Sequence, residues 1–102
     1  MDHPPHPNRN FSLKVAGQKG RELNLAISGR IALENLSLFN EEVAALLARK
    51  APGKLTVDLA GVKYLDSAGA LGLLQLESES KARSVPLQFV NLSEKAKGIM
   101  GL

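Results

Sequence analysis

The spacing of apolar residues switches back and forth along this chain, and that switching sets its architecture. Phe11, Leu13 and Val15 alternate with Ser12 and Lys14. That is the two-residue period of a half-buried strand. Gly17-Gln18-Lys19-Gly20 reads as a turn, after which Leu23, Leu25 and Ile27 alternate with Asn24, Ala26 and Ser28. Two such runs joined by a glycine-containing turn predict an antiparallel hairpin. Leu36, Phe39, Val43, Leu46 and Leu47 then follow helical spacing and predict a helix from roughly Leu33 to Lys50. Asn35 or Ser37 is placed to cap it, Glu41 and Glu42 lie early, and Arg49 and Lys50 close it, as the helix dipole favours. Pro52-Gly53 stops it.

Leu55, Val57 and Leu59 form a third alternating run, and a second helix is predicted from about Ser67 to Arg83. Val85 to Val90 is a fourth strand with Pro86 near its start, and Ser93 caps a last helix holding Ala96, Ile99 and Met100. That helix reaches Leu102 with no stop signal, which reads either as its natural end or as a cut in a longer chain. The order is β-β-α-β-α-β-α. A strand–helix–strand unit joins parallel strands by a right-handed crossover. The expected fold is therefore α/β: a single small domain over 11–102, with a mostly parallel four-stranded sheet, an N-terminal β-hairpin and about three helices.

Composition narrows the function classes. With 102 residues and 44% hydrophobic content, the chain buries one core and holds no second catalytic domain. Residues 1–10 contain three prolines, two histidines and two asparagines and read as a disordered arm. The longest stretch without a charged or strongly polar residue runs from Ala68 to Leu74, far short of the roughly 20 residues of a membrane span. There is no cysteine, and the net charge of +3 is spread along the chain with few aromatics between, so no nucleic-acid surface is expected. His3 and His6 supply only two of the roughly four ligands a structural zinc needs, so no metal is expected. No phosphate-binding P-loop is present, no histidine lies inside the fold to serve a Ser–His–Asp triad, and Glu41/Glu42 and Glu77/Glu79 do not share a helix face. The chain reads as a non-enzyme without a cofactor.

One segment stands apart. Tyr64-Leu65-Asp66-Ser67-Ala68-Gly69-Ala70-Leu71-Gly72 lies where β-structure meets a helix N-terminus. In one reading, Asp66 or Ser67 caps the helix and the glycines allow tight packing. In the other, the same N–H donors and dipole let Ser67 carry a phosphate, and Gly69 and Gly72 let a partner backbone approach. Ala70, Leu71 and Leu74 fall on one arc of this helix, a normal core face, and Gly69, Leu73 and Leu76 on an arc roughly opposite. The second arc is covered either by another helix of the domain or by a partner. The candidate partner-binding residues are Asp66, Ser67, Gly69, Gly72, Leu73 and Leu76.

Leu59 to Gly69, reading Leu-Ala-Gly-Val-Lys-Tyr-Leu-Asp-Ser-Ala-Gly, resembles the signature of STAS domains, named for sulfate transporters and anti-sigma-factor antagonists. The shared pattern is an apolar strand, a short turn, then Asp-Ser-Ser-Gly or Asp-Thr-Ala-Gly opening a helix, and the resemblance extends to the element order of nearly the whole chain. It implies a regulatory domain that binds another protein. Ser67 matches the serine or threonine that a partner kinase phosphorylates in anti-sigma-factor antagonists, and Asp66 matches the acidic residue beside it. Ala68 replaces a frequent second serine, and Gly69-Ala70-Leu71-Gly72 replaces a tighter Gly-Leu-Gly. Those departures resemble the STAS domain of Mla-type lipid ABC transporters. The resemblance thus implies a cytoplasmic domain docked on a permease or ATPase subunit, either as a small separate subunit or fused ahead of a permease that follows Leu102 and tethers it to the inner membrane. The alternative is a free antagonist whose partner is an anti-sigma factor and serine kinase.

Overall fold

The computed structural model describes residues 10–102; the proposed arm and its two histidines lie outside the described residues apart from Asn10. Asn10 is tied in, its carbonyl accepting from Arg30 N at 2.7 Å. The elements are β1 (Phe11–Lys19), β2 (Glu22–Ile31), a 3-10 turn (Leu33–Asn35), α1 (Leu36–Lys50), β3 (Lys54–Leu65), α2 (Ser67–Ala82), β4 (Leu87–Val90) and α3 (Glu94–Met100). The sheet order is β1-β2-β3-β4, with the first pair antiparallel and the other two parallel. This is the expected α/β hairpin-plus-crossover fold.

Alternation decides which face of the sheet is covered. Leu23, Leu25 and Ile27 of β2 and Leu55, Val57 and Leu59 of β3 are buried and join Phe39, Val43, Leu46 and Leu47 of α1 in one cluster. Ala70, Leu73 and Leu76 of α2 and Ala96 and Met100 of α3 complete it. Asn24 and Ala60, on the opposite face, are exposed. The domain is thus two layers, with helices on one side of the sheet. Each fully buried leucine contributes roughly 1.5–3 kcal/mol, so this face supplies most of the stability. Edge-to-face packing of Phe11 on Phe39, 5.5 Å between ring centres, ties β1 to α1.

Several local expectations are corrected. The hairpin turn sits at Gly20-Arg21 rather than at 17–20, because Ala16 bulges out of the ladder and lets β1 pair through Lys19. β3 runs unbroken to Leu65 through Gly61, where a Cβ would lie 2.7 Å from the Cβ of Ser28. There the glycine permits close strand approach. Asn35 precedes α1 but does not cap it with its side chain. Its buried amide instead accepts from Ala32 N and donates to the Arg30 carbonyl, fixing the β2–α1 connection. α3 does have a stop: Gly101 is left-handed, and Gly101 N and Leu102 N bond back to the carbonyls of Gly98 and Lys97. In the polar second half of α2, Ser80 is nonetheless fully buried, and its hydroxyl has no partner among the described residues.

Candidate functional site

The site is built around the start of α2. β3 carries its backbone up beside β2, pairing Tyr64 with Arg30 and Leu65 with Ile31. Asp66 follows in extended conformation and is the N-cap. One carboxylate oxygen accepts from Gly69 N at 2.7 Å, and the other accepts from Leu33 N at 3.2 Å. One side chain thus closes the helix and ties it to the β2–α1 connection. The Gly69 amide holds the Asp66 carboxyl below the usual carboxylate range; burial partly offsets this, and the Leu33 amide adds to it.

Because Asp66 does the capping, Ser67 is left exposed at the first helical position. Gly69 and Gly72 are buried. A Cβ on Gly69 would collide with the Ile31 carbonyl oxygen, and one on Gly72 would lie 2.7 Å from Cδ1 of Leu36. These glycines admit the domain's own β2 and α1, not a partner. Leu73 and Leu76 are 1% and 2% exposed and pack in the core. The expected partner stripe Gly69–Gly72–Leu73–Leu76 is therefore the inward side of α2, since the sheet and α1 already cover it.

The outward side carries what sequence reasoning missed. Leu71 lies one turn after Ser67 on the same face and is 49% exposed. Leu33, whose amide is bound by Asp66, is 72% exposed, and Tyr64 is 40% exposed. Among the described residues, three of the five large exposed apolar side chains thus lie on the segments around Ser67. The sequence spacing placed Leu71 on the core face with Ala70 and Leu74; the structure corrects this, because the arc through Gly69, Leu73 and Leu76 is the one packed inward, which leaves Leu71 turned out. Leu33 had no sequence signal, because the Asp66 bond that brings it here spans 33 residues. Arg30 stacks 3.9 Å above the Tyr64 ring and pairs with Glu34. The hydrogen bond from Arg30 lowers the Glu34 carboxyl and raises Arg30. The result is a partly apolar, charge-balanced surface around the exposed Ser67, whose hydroxyl has no hydrogen-bond partner among the described residues. Among the described residues, no cluster of acids or histidines suits a metal.

This fold, with an Asp-capped helix beginning Ser-Ala-Gly, defines a class. A profile of the family described as "Mlab, STAS domain" matches residues 15–102, and the chain belongs to the STAS domain family. No curated protein matches the sequence significantly. Among solved structures, the chain is similar to an antisigma-factor antagonist STAS domain from Rhodobacter sphaeroides. That match has 18% identity and a TM-score of 0.68, and covers 81% of this chain and 88% of that one. It is also similar to the anti-sigma factor antagonist SpoIIAA in its unphosphorylated form, at 13% identity and a TM-score of 0.68, over 89% of this chain and 77% of that one. A third match, SLC26A9, has 17% identity and a TM-score of 0.68, over 92% of this chain but 20% of that one. At these identities the structures establish the shared fold.

Proposed function

We propose that this domain acts by binding a protein partner, as the STAS component of an ABC-type lipid transporter, docking onto the permease or its ATPase. The observation that carries the docking reading is the exposed Ser67–Leu71 face of α2 with Leu33 and Tyr64 beside it. The family description supports the transporter context. Apolar side chains held at the end of a rigid element suit an interface core, since burying them on association returns the hydrophobic contribution that exposure forgoes. In this reading the domain does no chemistry; it works on the cytoplasmic side of the inner membrane, held there by the permease. The test is co-purification of the tagged chain with its cognate permease and ATPase. Stoichiometric co-elution is expected, and elution of the tagged chain alone would contradict the reading.

A second reading is favoured by one observation, the free hydroxyl of Ser67. A phosphate there adds roughly −1.5 to −2 charges at a helix N-terminus, which tolerates them. As an anti-sigma-factor antagonist, the chain would bind its kinase less tightly as Ser67→Asp and retain it as Ser67→Ala. Equal affinities for the two variants, measured by calorimetry, would rule out the switch.

A further inference from the structure

A concave surface lies beside Tyr64. The carboxyl end of β3, α2 and α3 enclose a cleft of about 70 Å3. Its floor is apolar, made by Leu59, Leu65, Leu73 and Ile99. Its mouth carries the exposed Lys63 and Lys95. Lys54 has Glu22 and Lys97 has Glu94 as an acidic neighbour. Among the described residues, Lys63 and Lys95 have no ion-pair partner. The nearby Asp66 carboxylate is committed to two backbone amides. An apolar floor under an uncompensated cationic rim is complementary to an apolar group flanked by carboxylates.

Size and charge count choose among the occupants. Pockets that enclose a whole small ligand span roughly 300–1,000 Å3, several times this cleft. Lipid-headgroup recognition at a membrane surface uses clusters of about 4–8 Lys/Arg, and here there are two. A space of this volume accepts one side chain, as anchor pockets in protein interfaces do. We infer that the cleft receives a single apolar side chain from an acidic segment of a partner protein, whose flanking carboxylates pair with Lys63 and Lys95. The inference rests on the cleft alone and is independent of the Ser67 surface.

The probe is the blocked peptide Glu-Glu-Leu-Glu-Glu, titrated into the full chain while backbone amide resonances are followed. Saturable shifts are expected at Lys63, Ala96 and Ile99. Alanine in place of the central leucine, or the Lys63→Glu/Lys95→Glu variant, should each weaken binding by about tenfold or more. That variant should instead take Lys-Lys-Leu-Lys-Lys, with the rest of its spectrum unchanged. Absent or scattered shifts, or equal binding of the leucine and alanine peptides, would overturn the inference. So would saturation of the cleft by octanoate in preference to the peptide, which marks a small-carboxylate site. Binding to phosphatidylglycerol vesicles in place of the peptide, lost in the double variant, would reassign the lysines to a membrane.

Discussion

On its inner side, the first half of α2 presents Gly69, Gly72, Leu73 and Leu76; on its outer side it presents Ser67 and Leu71. Both sides carry leucine, yet the inner one is closed by β2 and α1 while Leu71 stands in solvent. The difference lies in the glycines. A helix packs closest where it has no side chain, so Gly69 and Gly72 mark the side on which backbone meets backbone. Leucine alone marks neither side. The outer face is then the surface left over after folding, and it carries the exposed Leu71 and Ser67 on which the docking proposal rests.

The sharpest way to break this contrast is to add one methyl group on the closed side. Gly69→Ala drives a Cβ into the Ile31 carbonyl, which cannot retreat without unpairing β2, so it is expected to prevent folding or cost more than any other change here. Thermal denaturation followed by circular dichroism measures it, and an unshifted midpoint would refute the packing argument. Leu73→Ala leaves a cavity in the same contact and is expected to cost about 2–5 kcal/mol by urea denaturation. Asp66→Ala removes the clamp on the helix start and the bond to Leu33, costing about 1–2 kcal/mol at neutral pH. The folded carboxyl lies below its unfolded value, so its contribution is complete above the ordinary aspartate pKa of about 3.9. It is lost as pH falls through the folded value. The gap between wild type and Asp66→Ala should therefore close in acid, and a gap unchanged at low pH would show that charge plays no part.

The element order was legible because burial imposes a period of two on strands and helical spacing on helices, and these runs are long enough to separate the two. The cap was legible as a type but not as a residue, since Asp66 and Ser67 are both competent; the extended backbone at Asp66 decides it. Helix ends were less legible. Ala51 and Ser84 adopt left-handed φ values of 43° and 59° without being glycine. Ser84 does so because its amide and that of Val85 close α2 on the carbonyls of Lys81 and Ser80. The sidedness of α2 was not legible from its apolar stripes, because two leucine-bearing arcs are equivalent until β2 and α1 are set against one of them. Leu33 joins the site only through the 33-residue reach of Asp66.

Leu71→Glu tests the outer face without touching the inner one. An exposed helix position of this kind changes stability by no more than about 0.5 kcal/mol. The decisive measurement is the affinity of this folded variant for the cognate permease–ATPase complex, beside that of wild type. If the Ser67–Leu71 face is the docking surface, the charge buried against the partner should weaken binding by about tenfold or more while the melting temperature stays put. Wild-type affinity in the folded Leu71→Glu variant would contradict the account and move the partner to another face of the domain.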